Sequence, residues 1–151
     1  MTKKQGLEGL LAWQRGMSFA KRVYKEVIPL LPQEEKWAMG SQLRRAAASI
    51  PANIAEGYGR HYYQEGVRFS YIARGSLDET LTFLALASEL DYLKPDLFEE
   101  LRAEIYELKR IINGYISYLK KSKQGQDEPG SQSYIKELEP HYLISELEDE
   151  A

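Results

Sequence analysis

Apolar residues along this chain recur at helical rather than strand spacing, in four long segments. In the first, Leu10, Trp13, Met17, Ala20, Tyr24, Val27 and Leu31 alternate three and four residues apart, which places them on one helical seam. Pro29 and Pro32 bracket its end. The second segment is predicted to begin near Gln33-Glu34-Glu35, where carboxylates suit the positive end of a helix dipole. It carries Leu43, Ala47, Ile50 and Ile54 on one stripe and closes at Gly57, with Gly59 just beyond. Pro51 lies inside this pattern. Its ring removes the hydrogen bond to the Ala47 carbonyl and is expected to kink the helix, at about 3 kcal/mol uncompensated. The alternative is a break, with Ser49 capping a short second piece.

The third segment runs from about Tyr63 to Leu90, and its centre, Leu81-Thr82-Phe83-Leu84-Ala85-Leu86-Ala87, is apolar nearly all round. A helix apolar on every side must be covered on every side, which predicts a second subunit against it. The fourth opens near Pro95-Asp96, carries Leu97, Leu101, Ile105, Leu108, Ile112, Tyr115 and Leu119, and ends in Lys120, Lys121 and Lys123, cations suited to the negative end of the dipole. Long amphipathic helices on short connections predict an all-α, up-down-up-down four-helix bundle over residues 1–123. The run from Gln124 to Ser133 is rich in Gly, Gln and Ser and reads as a flexible linker. In residues 134–151, Tyr134, Ile135, Leu138, Tyr142, Leu143 and Leu147 are interleaved with acids, the pattern of a short docking helix limited by Pro140.

Charge changes this picture more than composition does. The 151 residues have a net charge of −3, yet residues 124–151 hold eight acids against Lys136 alone, or −7, which leaves +4 on residues 1–123. An acidic tail on a basic body can screen that body or compete for whatever binds it. There is no cysteine, which excludes disulfide frameworks, thiolate zinc sites and cysteine nucleophiles. No apolar run approaches the ~20 residues of a membrane span, and Met1-Thr2-Lys3-Lys4-Gln5-Gly6 lacks a signal-peptide core. A bacterial-type, cytoplasmic protein is the expectation.

Catalytic and cofactor chemistry find little support. A di-iron bundle needs paired Glu-x-x-His motifs, and the two histidines, His61 and His141, fall in a turn and in the tail. There is no phosphate-binding glycine loop. Glu100, Glu104 and Glu107 share a helix face, and Glu146 and Asp149 are spaced as Glu-x-x-Asp, a pattern that could hold magnesium; Lys109 and Arg110 lie close to the first set. We expect no enzyme, no cofactor and no metal. On the second helix, Gln42, Arg45, Ser49, Asn53 and Glu56 line one face, and the third offers Arg68, Arg74, Ser76, Asp78 and Glu79. These are either a hydrogen-bond network fixing helix register or a phosphate- or peptide-binding groove. Basic clusters at Lys21, Arg22 and Lys25, at Arg44 and Arg45, and at Lys109 and Arg110 are accompanied by Tyr58, Tyr62, Tyr63 and Tyr71 near Arg60, Arg68 and Arg74. Cations interleaved with aromatics suit RNA phosphates and bases.

The run Gln42-Leu43-Arg44-Arg45-Ala46-Ala47-Ala48-Ser49-Ile50-Pro51-Ala52-Asn53-Ile54-Ala55-Glu56-Gly57, with Ile72-Ala73-Arg74-Gly75-Ser76-Leu77-Asp78-Glu79 and Trp13, resembles the four-helix-bundle family encoded within intervening sequences of bacterial 23S ribosomal RNA genes. The same family includes the accessory variability determinant proteins of diversity-generating retroelements. The resemblance covers about residues 7–121 and omits the tail. It implies a non-enzymatic protomer assembling into a barrel-shaped homopentamer, associated with RNA or nucleic acid and, in the retroelement branch, with a reverse transcriptase. It also carries over Arg45, Ser49, Asn53, Glu56, Gly57, Arg60, Gly75, Ser76 and Glu79 as signature positions. Together these readings predict phosphate contacts from Lys21, Arg22, Arg44, Arg45, Arg60, Lys109 and Arg110, repeated around a ring. The alternative is a scaffold that docks a partner protein, through the acidic tail, without touching nucleic acid.

Overall fold

A computed structural model describes residues 4–127. Within them, α1 (Leu11–Arg22), α2 (Met39–Gly59), α3 (Tyr63–Glu89) and α4 (Pro95–Ser122) form a four-helix bundle. Each helix packs on its chain neighbour, and α1 closes the ring against α4. Short connections make the neighbours antiparallel, the up-down-up-down order that the spacing predicts. Phe19, Leu43, Ile50, Ile54, Leu77, Leu84, Leu101, Ile105, Leu108 and Ile112 fill the core almost without solvent exposure.

The first helix turns its seam by about one residue from the predicted one. Ala12, Gly16, Phe19, Ala20, Val23 and Val27 face inward, while Met17 and Tyr24 are exposed. The smallest residues lie at the contact with α2: a Cβ on Gly16 would meet Pro51 Cβ at 3.4 Å. Close approach of two backbones rewards small side chains over large ones, so Met17 and Tyr24 move to the flank. Beyond Arg22 the helix widens into a π turn, Val23–Val27, and tightens into a 3-10 turn, Ile28–Leu30. Pro29, which has no N–H to donate, requires such an irregular end.

The second helix starts later than predicted. Gln33–Glu35 form a separate 3-10 turn, and α2 begins at Met39. Between them Trp37 stands 80% exposed, with the Arg44 guanidinium 6.0 Å from its ring centre. Helix α2 runs unbroken through Pro51, which is buried, so Ser49 does not cap a second piece. It also runs past Gly57 to Gly59, and His61 (φ 59) takes the left-handed turn position instead. Gly57 has a different use: a Cβ there would lie 2.9 Å from Phe69 Cβ and 3.1 Å from Gly66 Cα, so its absence lets α2 and α3 touch.

Helices α3 and α4 match their predicted spans within a residue. The apolar centre of α3 is largely covered within the chain: Leu84 and Ala87 are buried, Leu81 and Phe83 pack on the core, and Leu86 is the large side chain left exposed. Lys123 (φ 48) and Gly125 (φ 75) reverse the chain after α4. The Gln124 carbonyl then accepts the Tyr63 N–H at 2.8 Å, satisfying one of the orphan donors at the start of α3. The rest of the expected linker, the docking helix at 134–151 and His141 lie outside the described residues.

Candidate nucleic-acid interface

The seven predicted phosphate contacts are spread over all four grooves of the bundle. Arg22 sits between α1 and α4, its guanidinium 2.6 Å from Glu26, 3.0 Å from Glu104 and 3.7 Å from Glu100. The hydrogen bond to Glu26 foremost, against partial desolvation, raises its pKa still further and holds Glu26 below the usual carboxylate range. Arg45 pairs with Glu79 across α2 and α3 and bonds Gln42. Arg60 pairs with Glu56 at 2.9 Å and stacks over Phe69. Arg44 donates to the Lys36 carbonyl at 3.0 Å, beside Tyr24 on the α1–α2 side. Lys21 is exposed on α1. Lys109 and Arg110 lie on α4.

The polar stripe of α2 meets α3 as a register clasp. Ser49 donates to Ser76 at 2.6 Å, Ser76 donates to the Ile72 carbonyl at 3.1 Å, and Asn53 donates to the Ser49 carbonyl at 2.7 Å. These bonds pair groups that lie partly out of water, where an unpaired one would cost about 1–3 kcal/mol. Of the signature positions, Arg45, Ser49, Asn53, Ser76 and Glu79 build this clasp, Glu56 holds Arg60, and Gly57 permits the close approach. Gly75 differs, because a Cβ there meets nothing within 4 Å. Near the turn, Glu65 is buried in the first turn of α3, where the helix dipole favours a carboxylate, with Arg68 at 3.6 Å and Arg60 at 3.9 Å.

The groove between α3 and α4 has a different character. Helix α4 segregates its charge: Glu100, Glu104 and Glu107 face α1, where Arg22 and Arg15 pair with them. Arg102, Lys109, Arg110, Lys120 and Lys121 fall on its α3-facing and outer flank by helical spacing. From α3, Arg74 joins them and donates to Asn113 at 2.8 Å. Lys109 bonds Asp78 at 2.8 Å, and Arg102, at the far end, lies 3.7 Å from Glu99. Among the described residues this strip, from Arg102 to Lys121, therefore sets six cations against two carboxylates, Asp78 and Glu99. Tyrosine faces hold the cations in place: Arg74 and Lys120 sit 4.9 and 5.7 Å from the Tyr71 ring centre, and Arg102 and Lys109 each 5.8 Å from that of Tyr106. Tyr106 remains 40% exposed. Cation–π contacts of this kind order long side chains without cancelling their charge.

The strip thus unites Lys109 and Arg110 of the predicted set with Arg74 and Tyr71, and adds Arg102, Tyr106, Asn113, Lys120 and Lys121, which the sequence pattern did not join. The signal was present in the spacing of α4, where Glu100, Glu104 and Glu107 share one flank, Arg102, Lys109 and Lys120 the other, and Arg110 and Lys121 the outer face between them. Among the described residues, no group of three or more His or acidic side chains is placed to hold a metal ion, and no helix is long and apolar enough to cross a membrane.

A family model for 23S rRNA-intervening sequence proteins matches residues 8–114. The chain belongs to this family. The match takes in α1 to α3 and most of α4, but ends before Lys120, Lys121 and the acidic tail. No curated protein matches the chain. A solved structure from Bacteroides thetaiotaomicron, described as a protein of unknown function from the S23 ribosomal protein family, is similar in fold. It has a TM-score of 0.64 at 22% identity, covering 70% of this chain and 98% of that one. This 23S rRNA-intervening sequence protein and its structural neighbour therefore share the bundle, and nothing in either description points to catalysis.

Proposed function

We propose that this 23S rRNA-intervening sequence protein is a non-enzymatic, oligomeric bundle that binds RNA phosphates along the α3–α4 strip. The observation that carries the reading is the segregation of charge on α4. It leaves five cations of α4, joined by Arg74 from α3, against Asp78 and Glu99, while Glu104 and Glu107 of α4 are consumed by Arg22 and Arg15. Phosphate contacts from such a strip are sequence-independent and dominated by counterion release. Tyr106 offers a ring on which an unpaired base can stack. A homopentameric ring, as the family resemblance implies, would repeat the strip and multiply its field. Exposed Ile72, beside the open surface at Gly75, and Leu86, about three turns further along α3, are apolar side chains that a neighbouring subunit would cover.

The test is fluorescence anisotropy of the full chain with a single-stranded RNA oligonucleotide across a salt series. Changing Arg74, Lys109, Arg110 and Lys120 to glutamine together should flatten the log–log salt slope by about 0.7 for each phosphate no longer neutralised. A control with the same charge change at Lys21, Lys25, Lys36 and Lys94 should leave the slope near that of the unaltered chain. An equal effect from both variants would assign the binding to net charge and not to this strip. Absence of binding even at low salt would overturn the reading and favour a protein-docking scaffold.

A further inference from the structure

We propose that the acidic segment 134–151 of this chain docks on the α3–α4 strip of its own bundle and so competes with an incoming polyanion. The inference rests on the strip being the polyanion-binding surface. Three observations carry it: where the chain leaves the bundle, how far it reaches, and which surface has the complementary charge.

The exit point is set by the two left-handed residues after α4. Lys123 and Gly125 turn the chain back, and a Cβ on Gly125 would lie 2.5 Å from the His61 carbonyl. The Gln124 carbonyl is bound to the first N–H of α3. The last described residues therefore lie beside the start of α3 and the end of α4, the end of the bundle that carries Lys120 and Lys121. The opposite pole, with Lys36 and Trp37, lies more than roughly 30 Å away along α3 at ~1.5 Å per residue.

Reach matches the strip. From Asp127 to Tyr134 the chain spans up to about 23 Å. The 18 residues from Tyr134 to Ala151 cover about 27 Å even if coiled as a helix, and the strip from Lys121 to Arg102 is about 28 Å long. Charge matches as well: Glu137, Glu139, Glu146, Glu148, Asp149 and Glu150 against Lys136 make the segment −5, opposite a strip of six cations and two acids. The α1–α4 and α2–α3 grooves offer less, since Arg15, Arg22 and Arg45 are already paired with carboxylates there. The tether makes the contact intramolecular, at an effective concentration in the millimolar range.

Zero-length carbodiimide cross-linking of the full chain, read by mass spectrometry, tests the docking without any RNA. Isopeptides from Glu137, Glu139, Glu146 or Glu148 should concentrate on Lys109, Lys120 and Lys121 rather than Lys21, Lys25, Lys36 or Lys94, and should disappear at high salt. In an equal mixture of light and heavy isotope-labelled protein they should join residues of one label. Links spread over all surface lysines, or joining both labels, would overturn docking within the chain. In the RNA assay, changing those four glutamates to glutamine should tighten binding roughly three- to tenfold at low salt. RNA binding unaltered by the change, with no links to the strip, defeats this inference and leaves the RNA reading intact. Links to the strip without RNA binding to either form keep the docking and remove the RNA reading.

Discussion

Ser49 on α2 donates its hydroxyl proton to Ser76 on α3 across 2.6 Å, and Ser76 passes the chain on to the carbonyl of Ile72. The two residues are 27 positions apart in sequence, so the bond exists only when the two helices are in register. Replacing either serine by alanine removes this inter-helix bond, while the remaining hydroxyl keeps a carbonyl on its own helix, Ala46 at 2.7 Å for Ser49 and Ile72 at 3.1 Å for Ser76, so the expected cost is about 1 kcal/mol. The double variant should lose less than the sum of the two, because the first change alone already removes the bond between the helices. Urea unfolding of the three variants measures this coupling; strict additivity would show that the hydroxyls do not interact.

Two glycines of the signature set should respond in opposite directions to alanine. Gly57→Ala places a Cβ against Phe69 and the Gly66 backbone, and overpacking of this kind costs about 1–3 kcal/mol. Gly75→Ala meets open space within a helix and should stabilise an isolated chain by roughly 0.4–1 kcal/mol. If a subunit packs on this part of α3, Gly75→Ala instead weakens assembly, and sedimentation velocity distinguishes the two outcomes.

Acid should weaken the Arg22–Glu26 pair at the end of α1. Glu26 is held below its ordinary pKa by Arg22, so its contribution is present above the unfolded value of 4.5 and is lost as pH falls through the folded one. The pair is partly exposed to solvent, so its share stays under about 1 kcal/mol. Thermal melts of Arg22→Gln and the unaltered chain should converge as the pH drops from about 5 to about 3.

Alkali acts through Tyr115, whose pKa is pushed up to about 12 by burial, with the neighbouring Tyr58 and Tyr118 adding to the shift. A raised value stabilises fully below the unfolded pKa of about 10 and is lost as pH climbs to the folded value. In ultraviolet absorbance titrations of the phenolate band, Tyr115→Phe should remove a chromophore that forms late, near pH 12. Loss of an early-titrating one would contradict the burial.

The exposed cation–π pairs on the strip should matter for order more than for stability. Tyr106→Ala removes the ring beside both Arg102 and Lys109 and leaves them only their pairs with Glu99 and Asp78, at about 0.5–1 kcal/mol per contact. It should weaken binding of single-stranded RNA more than of duplex RNA, since only unpaired bases can stack on the missing ring. Equal weakening of both substrates would limit the strip to phosphate contacts.

Helix number, the spans of α3 and α4, the bundle order and the family were legible in the sequence by itself. Apolar spacing and terminal charges act within a few residues, and the run from Gln42 to Gly57 is a local signature. Tertiary structure decided what those helices present to each other and to solvent. The inward face of α1 kept Ala20 and moved to take in Ala12 and Gly16 because Pro51 approaches from another helix, and contact distance favours small residues over the large ones that dominate a periodicity. The same holds for charge. Arg22 and Arg45 read as free cations along the chain, yet Glu104 and Glu79, distant in sequence, pair with them. Arg74 and Lys120 rest on Asn113 and the Tyr71 ring while the acids beside the strip, Asp78 and Glu99, are taken by Lys109 and Arg102. Pairing depends on which side chains the fold brings within a few ångströms, and no one-dimensional spacing contains that distance.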